Sequence, residues 1–316
     1  MNNLEILKKY KLTKKEHETY YEELRNSYIK GKKPVKKPVA VIVGGQAGAG
    51  KSGLLEYSKK LFKDSNFIII NGDEIRFFHP KCDEIARLYP ELYIEITSQD
   101  TNLWTRKLFA ELRQKKFNLI FEGTMRNNII ANDGITELQK LGYIVIVRGL
   151  AVSYLESMTS ILERYESQIS QKGWGKLITL NQHNEGYIGM PETINYIEQQ
   201  NKYDILEIFA RGQRLEEPIR IYTRYDVDKK EDIIKVINEK EDIFRYETIS
   251  KFESAKEAVL KTREIESDKI RPTINKRIVA VLKNMNKRKV TPKEKQILLD
   301  MLTFNHTIQK KKFSRK

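Results

Sequence analysis

The apolar positions of this chain fall into short unbroken runs separated by longer stretches at helical spacing. Pro38-Val-Ala-Val-Ile-Val43 is the clearest run. It is continuous rather than alternating, as expected of a strand covered on both faces of a parallel sheet. Runs at Phe67–Ile70, Asn118–Phe121 and Tyr143–Val147 predict three more strands, and Ile205–Ala210 and Ile219–Thr223 two final ones around a turn-rich Arg211–Pro218. Helical patterns lie between them, at Thr13–Tyr28, Lys51–Phe62, Asp100–Lys116 and Asp133–Leu141. Ser153-Tyr-Leu-Glu156 has capping-box spacing and opens a helix whose stripe is Leu155, Met158, Leu162, Tyr165 and Ile169. Lys172-Gly-Trp-Gly175 reads as a flexible loop, and a further helix is expected to begin near Pro191. Strands alternating with helices predict an α/β, doubly wound, mostly parallel sheet.

From about Asp228 the pattern changes to long, charged helical stretches. Pro272 is expected to open one helix, with Ile274, Ile278, Val281, Leu282 and Met285 on one face, and Thr291-Pro-Lys-Glu294 another. The organisation predicted is a domain over residues 1–227 and a basic, mostly helical extension over 228–316, frayed at Lys310–Lys316.

Charge sharpens that division. The chain carries a net +15, and from Lys269 onward fifteen lysines and arginines face only Glu294 and Asp300. The basic balance therefore belongs to the extension, which offers a route to nucleic acid through phosphate backbones. Phe304 and Phe313 are sparse stacking partners for such a role; a solvated extension is the competing reading. A single cysteine, Cys82, excludes a disulfide framework and a multi-cysteine zinc site. His17, His79, His183 and His306 show no metal-ligand spacing, and His79 before Pro80 reads as structural. Charges near the start and the lack of an apolar run of about 18 residues point to the cytoplasm and away from the membrane.

Gly45-Gln46-Ala47-Gly48-Ala49-Gly50-Lys51-Ser52 satisfies the pattern G-x-x-x-x-G-K-[ST] between a strand and a helix. Glycines let such a loop curl until backbone N–H groups converge on phosphate oxygens, and the following helix presents its positive end to them. Lys51 then serves the β- and γ-phosphates of ATP, and the Ser52 hydroxyl ligates Mg²⁺. These residues predict a P-loop kinase.

Three more sites fall on the same sheet edge, where ligands of open parallel sheets bind. Asn71-Gly-Asp73-Glu74-Ile-Arg76-Phe-Phe-His79-Pro80 follows the second strand. Asp73 suits a general base that takes the proton of an attacking hydroxyl, or equally an Asx turn or helix cap. Phe121-Glu122-Gly-Thr124-Met-Arg126 ends the third strand. Glu122 suits substrate hydroxyls or Mg²⁺, and Thr124 and Arg126 suit a phosphate or polar head group; an ordinary surface loop is the alternative. Arg164 points away from the apolar stripe of its helix, either across the cleft toward a transferring phosphoryl group or into a surface pair with Glu163 or Glu166.

Taken in order, Val43–Ser52, Asn71–Pro80, the E-G-T-x-R element at Glu122–Arg126 and the R-Y-E element at Arg164–Glu166 resemble the zeta-toxin family of toxin kinases. The resemblance spans about residues 10–225. It implies a kinase acting on the 3′-hydroxyl of UDP-N-acetylglucosamine, a product that poisons peptidoglycan synthesis, and a cognate antitoxin that occludes the nucleotide site. It further implies Asp73 as the base, Lys51 and Arg164 as phosphoryl-charge stabilisers, and Glu122, Thr124 and Arg126 as substrate contacts. The family's second lid arginine is missing, and only Lys172 and Lys176 stand in that stretch. A kinase for another hydroxyl (a nucleoside, an antibiotic or an RNA 5′ end) would share the phosphate machinery.

Overall fold

Strand β1, Val39–Gly44, is buried along its whole length because alternate side chains enter two different cores. Ala40 and Ile42 pack with one cluster, and Val39, Val41 and Val43 with the other. This explains the unbroken apolar run. The chain is described by a computed structural model covering residues 2–62, 64–212, 217–229, 231, 233, 251–292, 295–296 and 299–300. Among these residues the strands are β1, β2 (Ile68–Asn71), β3 (Leu119–Gly123), β4 (Ile144–Ala151), β5 (Ile205–Ala210) and β6 (Ile219–Tyr225). They form one sheet in the order β2-β3-β1-β4-β5-β6. All neighbours pair parallel except β5 and β6.

The helices are α1 (Asn3–Tyr10), α2 (Lys14–Ile29), α3 (Lys51–Lys59), α4 (Gly72–Ile75), α5 (Cys82–Leu88), α6 (Tyr93–Gln114), α7 (Asn128–Lys140), α8 (Tyr154–Lys172), α9 (Leu180–Gln199) and α10 (Ala255–Met285). Leu54 and Leu55 of α3 fill the core on one face of the sheet. Leu24 of α2, Trp104 and Leu108 of α6, Leu138 of α7, Ile194 of α9 and Val259 of α10 fill the other. The result is the α/β, doubly wound, mostly parallel architecture expected. Among the described residues no helix is long and apolar enough to cross a membrane.

Several expectations require correction. Pro191 does not open a helix; it stands inside α9, which begins at Leu180 behind a Thr179–Gln182 capping box. Pro272 likewise falls within α10, whose cap is Ser254. The Lys172–Gly175 segment is packed rather than loose: Gly173 caps α8 in the left-handed conformation, and Trp174 is buried against Tyr93 with ring centroids 5.8 Å apart. Helix α6 starts at Tyr93, well before Asp100, and α1, α4 and α5 were not foreseen. The middle of the Arg211–Pro218 turn, Lys293 and Glu294 of the second expected cap, Phe304, His306 and Phe313 lie outside the described residues.

Helix α10 is joined to the body of the fold. It packs on α8 and α9, and Arg277 and Arg288 reach α8 carboxylates. Basic residues of the extension, Arg277 and Arg288 among them, are therefore used within the molecule.

Candidate active site

The loop between β1 and α3 owes its shape to two glycines. Gly48 and Gly50 have φ of +76° and +88°, a region that L side chains rarely adopt. At Gly48 space also matters: a Cβ there would stand 1.9 Å from the carbonyl oxygen of Ser157 in α8. The loop thus lies directly on the helix that carries Arg164. Lys51, the first residue of α3, folds back so that Nζ donates to the carbonyl oxygens of Gly45 (3.1 Å) and Gln46 (3.3 Å) and stands 4.0 Å from Glu122 Oε1. Burial lowers the Lys51 pKa, against the pull of Glu122 and Asp73. Burial likewise raises that of Glu122, against the pull of Lys51.

Asn71, the last residue of β2, connects the two carboxylate segments. Its Nδ2 donates to Glu122 Oε2 at 2.9 Å, while its Oδ1 accepts from the Asp73 backbone N–H at 2.8 Å. Asp73 is therefore in the Asx-type turn that its spacing allowed, but its own carboxylate is left facing the cleft. There Lys176 Nζ donates to Asp73 Oδ1 at 2.5 Å, and Arg76 Nε lies 3.5 Å away. Burial pushes the Asp73 carboxyl up, but Lys176, Arg76 and Arg164 outweigh it and hold the group at about 2. Arg76 is anchored from behind, where Nη1 donates to Thr97 Oγ1 (2.6 Å) and Ser98 Oγ (3.0 Å).

Ser52, Asp73, Glu122, Arg164 and Lys176 line one cleft of about 380 Å³. Arg164 is exposed, and among the described residues it has no hydrogen-bond or ion-pair partner. The surface pair offered as its alternative role does not form. Glu163 is held by Arg277 of α10 at 2.7 Å, and Glu166 by Arg288, just beyond the end of that helix, at 2.7 Å. The field of Arg164 falls on Lys51, Asp73 and Lys176.

Other predicted residues lie elsewhere. Thr124 and Arg126 do not line this cleft. Thr124 lies beside Gly186 of α9, and Arg126 Nη1 donates to Glu185 Oε2 at 2.7 Å in an exposed pair. The Gln46 side chain is fully buried and turned away from the cleft, donating to the Val152 carbonyl at 2.8 Å. Gln46 can serve phosphate only through its backbone. His79 is buried, 3.7 Å from Asp100, and is not among the residues that line the cleft.

Lys176, Arg76 and Asn71 are the residues to which the motifs had assigned no role. Lys176 stood only as one of two candidates for a missing arginine, and geometry separates the two. Lys172 Nζ sits over Phe77 and Trp174, at 5.9 and 5.8 Å, while Lys176 meets Asp73. Arg76 carried a weak signal as the i+3 neighbour of Asp73, and Asn71 as a cap residue at a strand end.

Two carboxylates (Asp73 and Glu122), the cations Arg76, Arg164 and Lys176 and the Ser52 hydroxyl at the mouth of a glycine-rich loop can bind a phosphorylated nucleotide and receive a proton from an acceptor hydroxyl. Residues 25–239 match the family model described as Zeta toxin. Toxin zeta of Enterococcus hirae is 26% identical over 218 residues, 67% of this chain and 73% of that protein. Toxin PezT of Streptococcus pneumoniae serotype 4 is 29% identical over 187 residues, 59% of this chain and 72% of that protein. In fold, the chain is similar to a solved structure of the PezAT chromosomal toxin-antitoxin system of Streptococcus pneumoniae. The TM-score is 0.66 at 22% identity, over 86% of this chain and 99% of that one. The chain belongs to the zeta toxin family.

Proposed function

We propose that this protein is an ATP-dependent phosphotransferase that phosphorylates the 3′-hydroxyl of UDP-N-acetylglucosamine, acting as the toxin of a toxin–antitoxin pair. The observation that carries the reading is the convergence of Ser52, Asp73, Glu122, Arg164 and Lys176 on one cleft beside the phosphate loop. The toxin role is supported by the names of the relatives and by the toxin–antitoxin origin of the similar structure.

In this reading the loop backbone and the first turn of α3 hold the α- and β-phosphates, and Lys51 leaves the Gly45 and Gln46 carbonyls for the β/γ bridge. The Ser52 hydroxyl, with the Asp73 and Glu122 carboxylates across the cleft, forms a hard-oxygen set that suits Mg²⁺, with Ser52 as its ligand. When bound, that ion neutralises charge between the β- and γ-phosphates. Asp73 accepts the proton of the acceptor hydroxyl, whose oxygen forms a bond to the γ-phosphorus as the bond to the β-phosphate oxygen breaks. ADP and the phosphorylated sugar nucleotide leave. Glu122, fixed by Asn71, orients the acceptor.

With its pKa held at about 2, Asp73 is a poor base at rest. Lys176 must move toward the transferring phosphoryl group for Asp73 to accept a proton. One movement then frees the base and supplies positive charge beside Arg164. Arg126 contacts substrate only after leaving Glu185, and that pairing is the observation favouring a different hydroxyl acceptor. ADP release from ATP and Mg²⁺ distinguishes the two. It should rise when UDP-N-acetylglucosamine is added and be abolished in Lys51→Ala. Release driven instead by a nucleoside or an RNA 5′ end would assign the other acceptor.

A further inference from the structure

Pro191 lies in the middle of α9 and has no N–H, so the Tyr187 carbonyl one turn earlier has no helical partner. The replacement donor comes from α10. Arg263 Nη1 donates to the Tyr187 oxygen at 2.7 Å, and its guanidinium lies 4.0 Å from the Tyr187 ring centroid. The other arm reaches the phosphate loop, where Nη2 donates to Gln46 Oε1 at 3.0 Å. Gln46 in turn donates to the Val152 carbonyl just beyond β4. Both side chains are buried, with Gln46 at 0% and Arg263 at 4% exposure. Gly186 makes the approach possible, since a Cβ there would stand 3.3 Å from Gln46 Cα.

Arg263 has no carboxylate in ion-pair contact among the described residues. Glu266, on the next turn, accepts instead from the Ser153 N–H at 3.3 Å. Burial lowers the Arg263 pKa to about 10. A desolvated guanidinium without a carboxylate is costly, so the cost here falls to be offset by its hydrogen bonds to the Tyr187 carbonyl and Gln46 Oε1. It lies beyond residue 239, outside the segment that the family model matches.

We propose that Arg263 is a positioning residue of the phosphate loop. Through Gln46 it fixes the loop against β4 in the shape that accepts nucleotide phosphates, so α10 is a working part of the nucleotide site. Arg263 touches no nucleotide itself. Its anchor is the carbonyl that Pro191 releases, so the proline is what couples α9, α10 and the loop.

The inference rests on the loop being an ATP site, and the test separates the two. ATP binding with Mg²⁺ is measured by calorimetry on the full chain for wild type, Arg263→Met, Gln46→Met and the double variant, with Lys256→Ala as control. Lys256 pairs with Glu192 of α9, about two helical turns before Arg263 along α10. Each single variant should raise Kd roughly tenfold, the scale of one charged hydrogen bond. The double variant should do no worse than either single one, and Lys256→Ala should bind as wild type does. A merely structural role would lower the fraction of competent protein while leaving its Kd unchanged. Should Arg263→Met fail to fold, Gln46→Met and Arg263→Lys carry the test, with Arg263→Lys retaining one arm and falling between wild type and Gln46→Met. Folded variants that bind ATP like wild type, or losses that multiply in the double variant, would overturn the inference alone. A wild type that binds no ATP would overturn the kinase reading and this inference with it.

Discussion

Lys176 Nζ donates to Asp73 Oδ1 at 2.5 Å, a contact between a residue just after α8 and one just after β2, 103 positions apart in sequence. It places a cation on the group proposed as the base. Removing the cation as Lys176→Ala should raise the Asp73 pKa from about 2 toward the ordinary aspartate value. Turnover should nevertheless fall by about 10²–10³-fold, because the transferring phosphoryl group loses a positive partner. Lys176→Arg should retain most activity, while Lys172→Ala should change it little. A pH–rate profile for each variant checks this. A fall of similar size in Lys172→Ala would assign the role to the wrong lysine.

A loop glycine and a helix glycine should respond in opposite directions. Gly48→Ala would place a Cβ 1.9 Å from the Ser157 carbonyl and hold alanine at φ +76°, so loop and α8 must separate. ATP affinity should be largely lost, with destabilisation of about 1–3 kcal/mol. Gly53 lies inside α3 with open space around its Cβ position. Gly53→Ala should therefore stabilise the fold by about 0.5–1 kcal/mol. Denaturant titration of both variants is the check.

How much of this was legible in the sequence depends on whether a local signal existed. The strand before the glycine-rich loop was plain because both faces of Val39–Gly44 are buried, and the loop was plain because the pattern G-x-x-x-x-G-K-[ST] permits few residues. Ser153 was readable as a cap because its oxygen accepts from the Glu156 N–H at 3.3 Å. Pro191 misled because a proline usually starts a helix, and here a distant arginine satisfies the carbonyl it exposes. The capping box at Thr179–Gln182 was the overlooked signal. Within the site, Asp73, Glu122 and Arg164 lay in motifs, whereas the Asp73 contact of Lys176 depends on how α8 ends and Trp174 packs. The freedom of Arg164 from Glu163 and Glu166 was not legible at all, since it is set by Arg277 and Arg288 more than a hundred residues away.

Acid should destabilise the fold in a defined window. His183 is buried between α8 and α9, with Nε2 2.9 Å from Ser157 Oγ and its ring edge-on to Tyr154. Burial lowers its pKa to about 4, against support from Asn184, and Arg263 lowers it further. The unfolded chain takes up this proton near the ordinary value of about 6.5 while the folded chain does not. Stability contributed by the neutral ring is therefore complete above about 6.5. It declines as the pH falls and levels off below about 4. Glu266, raised to about 7 mainly by burial, acts in the opposite sense over part of the same range, so the comparison must be with a variant. His183→Gln should flatten the wild-type fall in unfolding free energy between pH 6.5 and 4. Parallel curves for the two proteins would contradict the assignment.

The most direct test of the account is the mass of UDP-N-acetylglucosamine after incubation with the protein, ATP and Mg²⁺, beside an Asp73→Asn variant. The account predicts a gain of about 80 Da, one phosphoryl group, with wild type and its loss in the variant. An unchanged sugar nucleotide, with ATP binding intact, would contradict it.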